Sequence, residues 1–320
     1  MRALQLWGPG DLRLVEQPAP EPKPGELLLR VDAVGLCGSD RHWFEEGAIG
    51  DAVLERPLVL GHEIAATVES GRRRGERVVV DPADPCGRCA QCAAALGHLC
   101  PAVRFAGHGA TDGGLRTLLA WSERLLHPVP DHVEPDEATL LEPLGVALHA
   151  LELASLERGG RAAVVGCGPL GLLLVELLVH AGVRVCAVEP LPHRLAAAVE
   201  RGAEEQRFEV DAAFEVAGTD EAVAAALELT RPGGRVVLVG IPDGDRTTLT
   251  ASIARRKGLT LLLSRRMTEN DFRRAIDQVA DGAIALDGLV TGRHRLDDAD
   301  AAFAALAARR GLKTVIEVAA

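Results

Sequence analysis

The stretch Arg161-Ala-Ala-Val-Val-Gly-Cys-Gly-Pro-Leu-Gly171 decides the fold. Arg161–Val165 reads as a short buried strand, and a helical segment runs from Leu170 to Ala181. The sequence Val183-Arg-Val-Cys-Ala-Val then supplies the next strand. Gly166, Gly168 and Gly171 therefore sit in G-x-G-x-x-G spacing at a strand-to-helix turn, with Pro169 and Leu170 opening the helix. Such a turn brings backbone N–H groups close to a pyrophosphate, and the helix N-terminus adds partial positive charge. Glu189, 18 residues past Gly171, ends the second strand, where a carboxylate binds both ribose hydroxyls and repels a 2′-phosphate. NAD is expected over NADP. Arg194 follows five residues later and either stacks on adenine or is a solvated helix residue. The alternative for the whole motif is a glycine-rich turn that packs without a ligand.

Further along, Ala212-Ala-Phe-Glu-Val and Arg235-Val-Val-Leu-Val-Gly continue the alternation of strands and helices expected of a parallel sheet. Upstream the pattern is different. Short alternations such as Glu26-Leu-Leu-Leu-Arg-Val-Asp-Ala and Arg77-Val-Val-Val, broken by Gly/Pro turns, read as β-rich up to about residue 145. From about Ala285 a helix (Asp297–Ala308) and a last strand, Lys313-Thr-Val-Ile-Glu-Val, are expected to return to that first domain. The expected division is thus 1–145, 146–285 and 286–320.

Within the β-rich part, Cys86, Cys89, Cys92 and Cys100 form C-x2-C-x2-C-x7-C, four of the seven cysteines of the chain. Four thiolates from one short loop can surround a tetrahedral zinc. Such a site is closed and structural, so the chemistry must lie elsewhere. Cysteines gathered for metal rather than for disulfides suggest a reducing, cytoplasmic setting.

Composition narrows the function. A net charge of −11 without a basic block argues against nucleic acid as a partner. The start of the chain shows no secretory signal pattern, and the longest apolar run, around Leu170–Val179, is broken by Glu176, so no membrane association is expected. The chain contains no tyrosine, which excludes a Tyr-Lys type of dehydrogenase chemistry.

A second set of metal-type residues accompanies the loop: Cys37 in Gly35-Leu-Cys-Gly-Ser-Asp40, His62-Glu63 after Gly61, and Glu142 in Leu141-Glu-Pro-Leu144. With the four-cysteine loop and the nucleotide motif, these resemble the zinc-dependent medium-chain dehydrogenase/reductase (alcohol dehydrogenase) superfamily over nearly the whole chain. The stretches Cys37-Gly-Ser-Asp-Arg-His-Trp, Pro57-Leu-Val-Leu-Gly-His-Glu63 and Pro128-Val-Pro-Asp-His-Val133 are most similar to its sorbitol/polyol and threonine dehydrogenases.

The resemblance implies an α/β fold: a Rossmann doubly wound parallel sheet beside a β-rich GroES-like catalytic domain. It implies two Zn2+ per chain, one structural and one catalytic, with NAD as cofactor. Cys37, His62 and Glu63 would be ligands of the catalytic zinc. Glu142 would hold the remaining water or the substrate, or replace Glu63. Ser39 and His42 would form a proton relay, unless His42 is only a surface imidazole. Val239, Gly240 and Ile241 would join the cofactor site, and Phe105 and Arg266 would shape the alcohol pocket.

A homodimer or homotetramer acting on a small alcohol is expected. The leading expectation is a secondary alcohol such as a polyol, sugar or cyclitol. The alternatives are a threonine 3-dehydrogenase or amino-alcohol dehydrogenase, and, in another class, a non-catalytic dinucleotide-binding protein. One departure stands out. Only 25 residues separate Glu189 from Glu215, where relatives carry a further strand–helix pair, so the nucleotide sheet is expected to be shortened by about that pair.

Overall fold

Alternation and glycine spacing translate directly into two sheets. The computed structural model describes residues 1–319, and in it the chain forms two compact units. One comprises Met1–Glu142, Thr268–Ala280 and the chain from Leu286 onward; the other comprises Pro143–Met267 and Asp281–Ala285.

In the first unit, β-branched and leucine-rich segments build a seven-stranded sheet. Its main path runs Leu126–Pro128, Arg77–Val80, Glu63–Val68, Glu26–Gly35, Lys313–Glu317, Val290–Arg295, with Leu118–Ser122 also paired to Glu26–Gly35. All pairings are antiparallel except that of Val290–Arg295 with Lys313–Glu317. The C-terminal strand is therefore an interior strand of this sheet.

The register has a direct consequence for the site. Gly35 lies opposite Glu63 on one side and opposite Val315 on the other. Because side chains alternate with period two, Lys313 and Val315 share a face, and Glu63 and Lys313 converge over Gly35. A Cβ at Gly35 would run into Glu63 Oε2 and stand 2.8 Å from Lys313 Cε, so a side chain there would have to displace this pair.

A core of Leu29, Leu36, Leu58, Ile64, Trp43 and Trp121 backs this face. The helix Gly38–Glu46 is pinned at its far end by Phe44 against Phe303, with ring centroids 5.0 Å apart. The helix Glu269–Ala280 groups with the first unit rather than with the nucleotide-binding segment in which a boundary at 285 would put it. Phe272 stacks edge-on against His127 at 5.1 Å, and that buried contact supplies the reason.

The second unit is a five-stranded parallel sheet in the order Arg184–Val188, Arg161–Val165, Val210–Glu215, Thr230–Leu238, Thr260–Leu263. The helices Pro169–His180, Pro192–Glu200 and Asp220–Leu229 are its first crossovers. In the shortened region the chain makes a single bridge, Cys186 with Glu204, before returning to the strand Val210–Glu215. Strand order reverses beside Arg161–Val165, the place where open α/β sheets bind ligands. No helix among the described residues is long and apolar enough to cross a membrane.

Candidate functional site

Cys37 precedes the helix Gly38–Glu46, and its conformation is fixed by Asp40 three residues on. The Cys37 N–H donates to Asp40 Oδ2 at 2.9 Å, and the Gly61 N–H donates to Asp40 Oδ1 at 3.2 Å. One buried carboxylate thereby ties the cysteine loop to the Gly61-His62-Glu63 turn. The outcome is that Cys37, His62 and Glu63 bring a sulfur, an imidazole nitrogen and a carboxylate oxygen within 4.8 Å of one another.

Charge accumulates around this trio. Asp40, His62, Glu63 and Glu142 are all buried. Burial works against a charged His62, yet the Asp40 carboxylate, the Cys37 sulfur and Glu142 outweigh it and hold its pKa well above the ordinary imidazole value. Burial, reinforced by Glu63, pushes the Glu142 carboxyl up to about 7 despite opposing pulls from His62 and Lys313. Lys313 Nζ donates to Glu63 Oε2 in an ion pair in which both side chains are buried. Acidic groups thus outnumber the imidazole and the ammonium here, a donor set suited to a cation.

The other expected residues of this unit divide. Phe105 is brought to the trio, its ring centroid 5.5 Å from that of His62. Ser39 is also there, with Oγ 3.5 Å from His62 Nε2. His42 is not a surface imidazole: its side chain is 5% exposed and its Nδ1 lies 2.8 Å from Glu46 Oε1. Arg266 belongs to the second unit, where its backbone is left-handed at φ 55°.

The four-cysteine loop closes on itself. The Sγ atoms of Cys86, Cys89, Cys92 and Cys100 all lie within 4.8 Å of one another. Cys89 Sγ is 3.4 Å from Cys92 Sγ and 3.8 Å from Cys100 Sγ. Four sulfurs held tetrahedrally at about 2.3 Å from one zinc stand roughly 3.8 Å apart, so the loop has the size such an ion requires. Backbone N–H groups of the loop, that of Arg88 foremost, draw the Cys86 thiol down to about 6.

In the second unit the glycine turn is tightly built. A Cβ on Gly171 would stand 2.0 Å from the Gly166 carbonyl oxygen, so helix and strand meet there only through glycine. Glu189 reaches back across the turn. Its Oε2 accepts from the Cys167 N–H at 2.7 Å and its Oε1 from the Leu191 N–H at 3.0 Å. Arg194 lies beside Gly168, its Nη1 3.5 Å from where a Cβ there would be. The N–H groups of Val239 and Gly240 both donate to the Glu215 carbonyl, and Ile241 is partly exposed next to them.

Four residues that hold the site carried no assigned role in the sequence reading. Asp40 could have been found from the Cys-x-x-Asp spacing before a helix, a capping arrangement. Glu46 could have been found from its i, i+4 spacing to His42. Glu215, whose Oε1 accepts from the Ala217 and Gly218 N–H groups at 2.8 and 2.6 Å, ends a strand as Glu189 does. Lys313 had no local signal, because its partner is 250 residues away.

Comparison with known proteins gives two family matches. The alcohol dehydrogenase GroES-like domain matches residues 23–131, and the zinc-binding dehydrogenase domain matches residues 206–281. The chain is 32% identical to a sorbitol dehydrogenase of Macaca fascicularis, over 98% of this chain and 95% of that one. It is also 32% identical to a probable D-xylulose reductase A of Neosartorya fischeri, over 97% and 95%. Among solved structures, a zinc-binding dehydrogenase from Sinorhizobium meliloti bound to NADP superposes with a TM-score of 0.89 at 29% identity, covering 99% of each chain.

Proposed function

Because the chain belongs to the zinc-binding alcohol dehydrogenase family, with polyol dehydrogenases among its relatives, we propose that it oxidises a secondary alcohol of a polyol, sugar or cyclitol with NAD. The observation that carries this reading is the convergence of half-buried Cys37 with buried His62 and Glu63. A thiolate, an imidazole and a carboxylate form a three-ligand set that leaves zinc one open position, as a catalytic site requires. Cys86, Cys89, Cys92 and Cys100 would hold a second, structural zinc. When bound at the first set, the metal supplies a Lewis acid that makes an alcohol hydroxyl acidic near neutral pH, and NAD supplies the hydride acceptor.

The remaining tasks fall to the protein. Asp40 keeps Cys37 and the Gly61 turn in place. Lys313 offsets the negative charge of Glu63. Phe105 packs its ring against His62. Ser39, whose Oγ lies 3.5 Å from His62 Nε2, would take the hydroxyl proton, and His42, three residues on along the same helix face, would carry it outward. Glu142 would hold water or substrate beside the trio, and its raised pKa suits a group that accepts and releases a proton.

In the nucleotide unit the Gly166 and Cys167 amides donate to the Val188 carbonyl and to Glu189, and the amides that follow at the helix N-terminus would meet a pyrophosphate. Glu189, with two of about four acceptor sites used by backbone amides, keeps the others for ribose hydroxyls. A cytoplasmic homodimer or homotetramer accords with the family likeness. The test is an NAD-reduction screen of zinc-replete protein over polyols, cyclitols, aldoses and threonine. Turnover confined to threonine would replace the polyol reading, and no turnover with any of them would sink it.

A further inference from the structure

We propose that Glu215 is a positioning residue for NAD: its buried carboxylate locks together the two turns that would hold the nicotinamide half of the dinucleotide. The proposal rests on the NAD reading of the nucleotide unit given above. In that reading the glycine turn follows the strand Arg161–Val165, and Glu189 takes the adenosine ribose at the end of the neighbouring strand Arg184–Val188. A dinucleotide spans the crevice where strand order reverses. Its other half therefore runs the opposite way, over the ends of Val210–Glu215 and Thr230–Leu238.

Those ends are built around Glu215. Its Oε1 accepts from the Ala217 and Gly218 N–H groups at 2.8 and 2.6 Å, which closes the turn after its own strand. Its backbone carbonyl accepts from Val239 and Gly240 at 2.8 and 3.1 Å, which ties on the turn after the next strand. Its Oε2 is 2.9 Å from where a Gly240 Cβ would stand. Glycine makes this closeness possible. A Cβ at Gly240 would run into the Gly218 nitrogen, and one at Gly218, whose φ is +71°, into the Ile241 carbonyl. The same seam reaches the first glycine turn, since a Cβ at Gly166 would stand 2.9 Å from the Ala217 nitrogen. Exposure separates the two strand-end acids. Glu189 is half-buried and can face a ligand, whereas Glu215 is 2% exposed and serves the backbone. Burial raises the pKa of Glu215 against the pull of the Gly218, Ala217, Thr219 and Gly240 amides.

Glu215→Gln keeps the size and one oxygen for the Ala217 and Gly218 amides, but sets a donor beside Gly240 in place of Oε2. Calorimetric titration of the full chain compares NAD with AMP, which carries the adenosine half and no nicotinamide. The Kd for NAD is expected to rise about tenfold, the effect of losing one charge-assisted hydrogen bond. The Kd for AMP should stay within about twofold of wild type. A general loosening of the sheet would weaken both ligands in step; loss of position at these two turns weakens NAD alone. Glu215→Ala should raise the Kd for NAD further, again with AMP unchanged. Where Glu215→Ala fails to fold, Glu215→Gln decides.

Thermal unfolding supplies a second readout. AMP should raise the Tm of Glu215→Gln as much as that of wild type, and NAD should raise it less. Wild-type NAD affinity in Glu215→Gln, or AMP affinity falling in step with it, would overturn the proposal. If the wild-type protein does not bind NAD, the cofactor reading has failed and the proposal falls with it. A wild type that binds NAD yet oxidises no tested alcohol sinks the polyol reading alone, and the two titrations still decide the role of Glu215.

Discussion

Asp81 is a carboxylic acid in a place made for a neutral group. Burial drives its pKa up to about 7, and the nearby acids Glu269 and Asp84 add to the effect against the Ala83 N–H and Arg124. Between about pH 4 and pH 7 the folded chain therefore keeps a proton that the unfolded chain has released. Stability must fall as pH rises through that window, each unit of displacement being worth about 1.4 kcal/mol. Asp81→Asn retains an oxygen for the Ala83 N–H, 3.0 Å away, and has no charge to bury. Thermal unfolding should show the variant more stable than wild type at about pH 8, with the difference shrinking toward pH 4. An equal difference at both pH values would refute the assignment. Residues of this kind explain what sequence reading reaches and what it does not. Cys37, His62 and Glu63 are recognisable because metal chemistry restricts their types and their flanking glycines are local. Lys313 pairs with Glu63 only because Gly35 lies between two strands whose register the sequence does not print.

At the level of elements, what was legible depends on how far each element's partners lie along the chain. The four-cysteine loop and the strand–turn–helix at Gly166 are complete within about twenty residues, and both were readable. Enclosure of His42 was not, because the spacing of residues in the helix Gly38–Glu46 does not print which of its faces is covered. The shortened nucleotide sheet was legible as a missing length, and in that length the structure makes one bridge, at Glu204. Its bearing on cofactor choice can be measured. Glu189 is held by the Cys167 and Leu191 amides, so its charge stays at the turn even without a further strand beyond Arg184–Val188. A dianionic 2′-phosphate there meets a fixed carboxylate. NAD is expected to be preferred over NADP by roughly one to two orders of magnitude in kcat/KM, each tenfold being about 1.4 kcal/mol. Glu189→Ala should narrow that preference, mainly by weakening NAD. Equal kcat/KM for the two cofactors in the wild type, or an advantage for NADP through Arg194 beside Gly168, would show that Glu189 does not govern the choice.

Taken as a whole molecule, the chain would, on the proposed function, separate metal-dependent folding, metal-dependent chemistry and nucleotide binding into different residues. Two zinc ions per chain are expected when metal is retained. The four loop sulfurs already lie at spacings suited to one ion, and binding there adds directly to folding free energy. Replacing Cys86, Cys89, Cys92 or Cys100 should lower the yield of folded protein before it alters kinetics. One zinc per chain, with all four thiols freely titratable in folded protein, would contradict this. Cys37→Ala should behave in the opposite way. Cys37 lies outside that loop and outside the buried core, and Asp40 still ties the Cys37 amide to Gly61 after the side chain is shortened. The fold should persist, with Tm near wild type. The Gly166–Gly171 turn belongs to the other compact unit, so the Kd for NAD should hold within a few-fold. Turnover should nonetheless drop by at least about a thousandfold, because acidification of the alcohol depends on the three-ligand set and not on the scaffold. The decisive experiment measures all three quantities on one preparation, with zinc content determined alongside. Near-wild-type alcohol oxidation by Cys37→Ala protein lacking zinc at the Cys37–His62–Glu63 set would mean that this convergence is not the reacting centre.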